Sequence, residues 1–304
     1  MYRNHENVAV VYSNDEDGIV TERIRTNKTS NSSSSSSNDD DGDDDDDKGS
    51  LISIITIKDE RTMNSLTKNR MNLLAVAIKR EQELARCLII TGAGEKAFSA
   101  GINLQAAKEV FKMSEFEYDS DCVYQVENAR VPIIAVVNGV AINAGFEIAL
   151  ACDCLIATKS AVFIDKHAEM GLLPSWGLSS KLSRIIGMNE AKLVSVFGVP
   201  LNATRAKELG LVQNEIIFEN KGDALKEAIR IAREMILKST RNNANALLEL
   251  IKNGAKLPFG EARELERKIA FEQYRNLPLD KMFVGNRGKG KKKEKNNDVA
   301  LSKL

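Results

Sequence analysis

Between Arg130 and Asp153 the chain reads VPIIAVVNGVAINAGFEIALAC, and Glu147 is the single charged residue in that stretch. A run this apolar cannot face water along its length, so it must lie at the centre of a core. Ile133 to Val137 has the length and composition of a strand buried on both faces. Asn138 to Asn143 supplies a loop, and Ala144 to Cys152 suits a helix. Glu147 then falls in the first helical turn, where the backbone dipole favours an anion while apolar neighbours raise its pKa. On the residues alone two roles stay open: an acid that stabilises the helix start, or a carboxyl held for proton chemistry.

The rest of the chain alternates strand and helix around this segment, the signature of an α/β domain. VAVVY (Val8 to Tyr12), an Asp17-Gly18 turn and LISIITI (Leu51 to Ile57) predict antiparallel edge strands. Thr67 can cap a helix whose apolar face is Met71, Leu74 and Ile78. Cys87 to Thr91 predicts a strand, Asn103 to Met113 and Cys122 to Ala129 helices, and Cys154 to Ala157 another strand. Beyond Trp176 the pattern is helical, near Leu178 to Ile186, Glu190 to Phe197, Ala224 to Leu237, Ala244 to Lys252 and Glu261 to Tyr274. Residues 27 to 50, a serine run followed by eight aspartates, cannot bury apolar area and are expected to be a disordered insertion.

Composition removes several function classes. Lysine plus arginine (43) balances aspartate plus glutamate (43), so no global field recruits nucleic acid or an anionic membrane. The lysines between residues 287 and 295 lack interleaved aromatics and read as a solubilising linker. Cys87, Cys122, Cys152 and Cys154 form no CxxC pair and read as reduced core residues. The two histidines, His5 and His167, exclude HExxH zinc sites, and no metal site is expected. No apolar stretch approaches the ~20 residues of a membrane span, and the polar opening MYRNHEN has no signal-peptide core, so a soluble, non-secreted chain is expected.

Two glycine-bearing loops follow strands, GAGEKAFSAGINL (Gly92 to Leu104) and NGVAINAGFE (Asn138 to Glu147). Such loops let backbone N–H groups approach a ligand oxygen, and two converging amides stabilise charge developing on a carbonyl. Gly92, Gly94 and Ala97 fit the dinucleotide fingerprint, but Ser99-Ala100-Gly101 interrupts the long helix that fingerprint requires, so nicotinamide binding is set aside.

Taken together, ITIKDERTMNSLT, CLIITGAGEKAFSAGINL, VPIIAVVNGVAINAGFEIALACDCLIAT, GLLPSWGLSSKLSRIIG and PLNATRAKELGLV resemble the crotonase, or enoyl-CoA hydratase/isomerase, superfamily over about Ile52 to Phe218. The nearest branch is that of single-function peroxisomal enoyl-CoA hydratases. The resemblance implies a crotonase-like spiral of ββα units from residues 1–26 and 51–218, a helical C-terminal assembly region over 219–284, and a flexible basic tail over 285–304. It implies an enoyl-CoA hydratase acting on fatty enoyl-CoA thioesters in peroxisomal β-oxidation, assembled as a homotrimer or homohexamer, with no cofactor beyond the coenzyme A of the substrate. Carried over by position, the oxyanion donors are the N–H groups of Ile102 and Ala144. Ala100, Gly101, Ile102, Asn103 and Leu104 line the thioester path, Met63 beside Asn64 lies near the CoA adenine, and Glu147 matches the first catalytic glutamate.

Three positions depart from the family pattern: His167 stands where the second catalytic glutamate is usual, with Glu169 two residues further on. Asn103 replaces the usual aspartate, and Asn143 the usual first glycine of the second loop. His167 could orient the water or supply the C2 proton, or serve only as a hydrogen-bonded loop residue. Two other activities fit the resemblance: a Δ3,Δ2-enoyl-CoA isomerase with Glu147 as sole base, and a non-catalytic acyl-CoA-binding protein. The last three residues, Ser302, Lys303 and Leu304, spell the tripeptide read by peroxisomal import receptors, so a peroxisomal location is expected.

Overall fold

The computed structural model describes residues 8–26, 51–110, 119–275 and 277. The acidic insertion (27–50), the Met113 end of one expected helix, and the basic tail with Ser302, Lys303 and Leu304 lie outside the described residues. In chain order the strands are β1 (Val8–Glu16), β2 (Ile19–Thr26), β3 (Leu51–Ile57), β4 (Cys87–Gly92), β5 (Ala97–Ser99), β6 (Ile133–Val137), β7 (Val140–Ile142), β8 (Cys154–Ala157), β9 (Val162–Ile164) and β10 (Leu201–Asn202). The helices are α1 (Lys68–Leu84), α2 (Leu104–Val110), α3 (Cys122–Glu127), α4 (Ala144–Ala151), α5 (Leu178–Ile186), α6 (Met188–Ser195), α7 (Ala203–Glu208), α8 (Lys221–Lys238), α9 (Arg241–Gly254) and α10 (Phe259–Arg275).

Six strands form a large sheet in the order β1-β2-β3-β4-β6-β8, antiparallel across β1-β2-β3 and parallel from β3 onward. Its parallel strands are apolar on both faces because both are covered. Leu88 and Ile90 of β4 and Ile133, Ala135 and Val137 of β6 join the core under α1, α3 and α4. Cys87, Ile89, Ile134 and Val136 face the other way, onto Ala224, Leu225, Ala228, Ala232 and Ile236 of α8. Thr67 caps α1 as its sequence suggests, its side chain accepting from the Arg70 amide at 3.1 Å.

A second, smaller sheet, ordered β10-β9-β7-β5, sits inside segments that read as loops in the sequence. Strands this short carry no detectable period. Three of the four follow a large-sheet strand: β4 leads to β5 and α2, β6 to β7 and α4, and β8 to β9, while β10 follows α6. These are the ββα turns of the expected spiral, and the parallel pairing of β5 with β7 and of β7 with β9 stacks one turn on the next.

The chain divides into two compact units at Leu248 and Glu249. α8 covers one face of the large sheet and is part of the first unit's core. The described part of the second unit contains the end of α9 and all of α10.

Candidate active site

The site forms where β5 and β7 end side by side. A parallel bridge joins Leu66 to Ile102: the Leu66 amide donates to the Gly101 carbonyl at 2.8 Å, and the Asn103 amide to the Leu66 carbonyl at 2.8 Å. In a parallel bridge the residue between those bonds turns its own N–H to the opposite side, so the Ile102 amide faces away from Leu66. Ala144 is the first residue of α4, and its N–H belongs to the orphan donors of a helix start. The two loops touch. Gly101 has φ +81°, and a Cβ placed on it would come within 2.6 Å of the Ile142 carbonyl and 3.4 Å of the Ala144 nitrogen. Gly145 is pressed as closely against the Ser99 carbonyl. Glycine at both places lets the two amides approach one another.

Two buried asparagines hold this backbone. Asn64 (φ +56°) donates to the carbonyls of Ala93 and Ala97 and accepts from the Asp59 amide at 2.9 Å. Asn138 donates to the Gly94 carbonyl at 2.7 Å and accepts from the Gly92 amide at 3.0 Å. Met63, also in the left-handed region, accepts from the Ala100 amide through its carbonyl at 2.9 Å and leaves its side chain exposed.

Glu147 lies in the first turn of α4 and is only 2% exposed. Phe146 beside it packs on Phe163 of β9, ring centroids 5.1 Å apart, which fixes α4 against the strand that ends just before Asp165. The Glu147 Oε1 accepts from the Trp176 amide at 2.9 Å. Burial pushes its carboxyl above the usual range, opposed by that amide and by the charge of His167. Trp176 is anchored in turn, its indole Nε1–H donating to Asp121 Oδ2 at 3.1 Å, while Asp121 Oδ1 caps α3.

His167 is brought to the same place. Its Nδ1 lies 2.7 Å from Asp165 Oδ1, which also accepts from the His167 amide at 3.0 Å. Burial opposes a charged imidazole, yet the bond to Asp165 and the negative charges of Asp165 and Glu147 outweigh it and raise the His167 pKa. Burial likewise opposes the Asp165 carboxylate, but His167 draws its pKa below the ordinary value. Glu169 points elsewhere: it is exposed and pairs with Lys166 at 3.4 Å. Asn103 accepts from the Gln105 amide at 2.8 Å at the start of α2.

Asn143, with φ +45°, links the two halves. Its amide donates to the Ile164 carbonyl at 3.0 Å, and its side-chain oxygen accepts from the Lys166 amide at 2.7 Å. The loop bearing Ala144 is thereby clasped to the loop bearing Asp165 and His167. Sequence reasoning did not find Asp165, Trp176 or Asp121. The Asp-x-His spacing was a signal for the first; Trp176 and Asp121 meet across 55 positions and gave none.

Among the described residues no cluster of histidine, cysteine, aspartate and glutamate could hold a metal ion, and no helix is long and apolar enough to cross a membrane. The family model described as enoyl-CoA hydratase/isomerase matches residues 47–278. The chain is 42% identical over 251 residues to the probable enoyl-CoA hydratase 1, peroxisomal, of Arabidopsis thaliana, covering 80% of this chain and 93% of the plant protein. It is 29% identical to the short-chain-enoyl-CoA hydratase of Clostridium acetobutylicum, covering 74% and 84%. The crystal structure of an enoyl-CoA hydratase from Bacillus anthracis superposes with a TM-score of 0.66 at 29% identity, over 78% of this chain and 93% of that one. Matched along most of its length in sequence and in fold, the chain belongs to the enoyl-CoA hydratase/isomerase family.

Proposed function

We propose that this protein is an enoyl-CoA hydratase that adds water across the trans-2 double bond of fatty enoyl-CoA thioesters. The observation that carries the reading is a buried carboxyl, Glu147, sharing its surroundings with His167 beside two adjoining loops whose Ile102 and Ala144 amides are free of partners among the described residues. The thioester oxygen sits between those amides, which stabilise the enolate as charge develops. Glu147 takes a proton from water as its oxygen bonds to C3, the π electrons pass to the thioester oxygen, and His167 delivers a proton to C2. A proton returning from Glu147 to His167 restores the site. Ala100 to Leu104 line the thioester path and Met63 flanks the adenine end. Coenzyme A belongs to the substrate, and no further cofactor takes part.

Loss of the conjugated thioester absorbance of crotonyl-CoA tests this. The wild type is expected to consume it and Glu147→Gln to lose about 10²- to 10⁴-fold in kcat while staying folded; an unchanged rate refutes the assignment. Parallel assays with 3-enoyl substrates separate the isomerase reading, which predicts a rise in conjugation without water addition. Coenzyme A binding without turnover of either substrate favours the non-catalytic reading.

The peroxisomal role draws support from the plant relative's name and from Ser302, Lys303 and Leu304, although a relative from Dictyostelium discoideum at 30% identity is named mitochondrial. Import through a receptor for that tripeptide predicts that a fluorescent fusion ending in the three residues is punctate and that their deletion makes it diffuse. Assembly into a homotrimer or homohexamer is part of the same reading.

A further inference from the structure

We propose that Asp165 is a positioning residue for His167, fixing the imidazole so that Nδ1–H points at the Asp165 carboxylate and Nε2 is the nitrogen left for the substrate. This rests on the hydratase reading and extends it to a residue that itself stays clear of the reacting atoms. A carboxylate can only accept, so the 2.7 Å contact places a hydrogen on Nδ1. The pair is graded in depth. The Asp165 side chain is 2% exposed and that of His167 11%, so the aspartate is the more deeply buried partner.

The Asp165 backbone is fixed where β9 ends, and Asn143 grips the residues on either side of it, the Ile164 carbonyl and the Lys166 amide. The same carboxylate oxygen binds the His167 amide and its ring, so a single group sets both the loop and the side chain. The charged and polar groups around the pair are Glu147 from α4 and the buried Ser195 hydroxyl of α6 beside Asp165. A histidine that replaces a carboxyl acid must arrive protonated and aimed, and Asp165 supplies both conditions.

The chain has only two histidines, so its imidazole spectrum is simple. The experiment is two-dimensional NMR of histidine-labelled full-length protein, with His5→Gln to assign the signals, alongside kcat and KM for crotonyl-CoA across pH in wild type and Asp165→Asn. In the wild type His167 is expected to titrate above a free imidazole and, once neutral, to keep its hydrogen on Nδ1. In Asp165→Asn the titration moves down and kcat falls about 10- to 100-fold with KM little changed, and the alkaline limb of the profile moves to lower pH. A wild-type His167 whose neutral form carries its hydrogen on Nε2 overturns the proposal without any variant. So does an Asp165→Asn protein that keeps both titration and pH limb. A wild type inert toward crotonyl-CoA, with His167 still governed by Asp165, overturns the hydratase reading and leaves the pairing standing.

Discussion

Asn143 shows how one departure from a family pattern can be used. A glycine would hold φ +45° with less strain, but only a side chain can accept from the Lys166 amide. Asn143→Gly should therefore change stability by no more than about 1 kcal/mol, as relief of backbone strain offsets a lost hydrogen bond, while kcat falls several-fold because the two loops lose their clasp. Denaturant titration beside steady-state kinetics checks both halves. The pH profile is set at the same scale. In the proposed mechanism Glu147, whose pKa is raised, is lost as a base as pH falls through a value above the ordinary carboxyl range. His167, also raised, is lost as an acid in that mechanism as pH rises through a value above that of a free imidazole. A bell-shaped kcat profile with both limbs displaced upward is expected, and Glu147→Gln should abolish the acid limb of any residual rate. Glu147 was legible as a candidate because it is a lone charge in an apolar run; Asp165 was not, because an aspartate two residues before a histidine also suits an ordinary polar turn until the end of β9 brings both side chains into the buried interior.

The elements follow their sequence where the apolar pattern is clear. Ile133 to Val137, Cys154 to Ala157 and Leu178 to Ile186 form over the residues their apolar patterns predict. The small sheet could not be read this way, since β5, β7 and β9 have three residues each and take their order from neighbouring turns of the spiral. On the antiparallel side, Glu81 of α1 is fully buried and ties three elements together. It accepts from Arg23 of β2 at 2.7 and 2.9 Å, from Ser53 of β3 at 2.7 Å and from Arg80 at 2.9 Å. Burial disfavours its charge, yet these donors hold its pKa below the usual value. Its stabilising contribution is thus complete above the unfolded carboxyl pKa and is lost as pH falls through the lowered folded value. Glu81→Ala removes a shared acceptor from Arg23, Ser53 and Arg80, while Arg80 keeps its pair with Glu16, and should cost about 1–3 kcal/mol in chemical denaturation at neutral pH.

At the scale of the molecule, exposed apolar side chains occur in several places among the described residues, and one group of them belongs to α5, α6 and the segment that follows. Ile185, Met188, Leu193, Val196, Phe197 and Val199 line the ends of α5 and α6, and Phe197 is 74% exposed. The assembly proposed above could use such a group. Phe197→Asp should lower the mass measured by size-exclusion chromatography with light scattering and leave the far-ultraviolet circular dichroism of the subunit intact; an unaltered mass places the contacts elsewhere. The stacked spiral carries a consequence for how such a site can diverge. The two amides proposed to grip the thioester oxygen follow β5 and β7, neighbouring strands of the small sheet, so on that proposal their spacing answers to strand pairing, ~4.8 Å between strands, and not to any side chain. The residue at position 167 could then change what reacts while the proposed grip keeps its dimension.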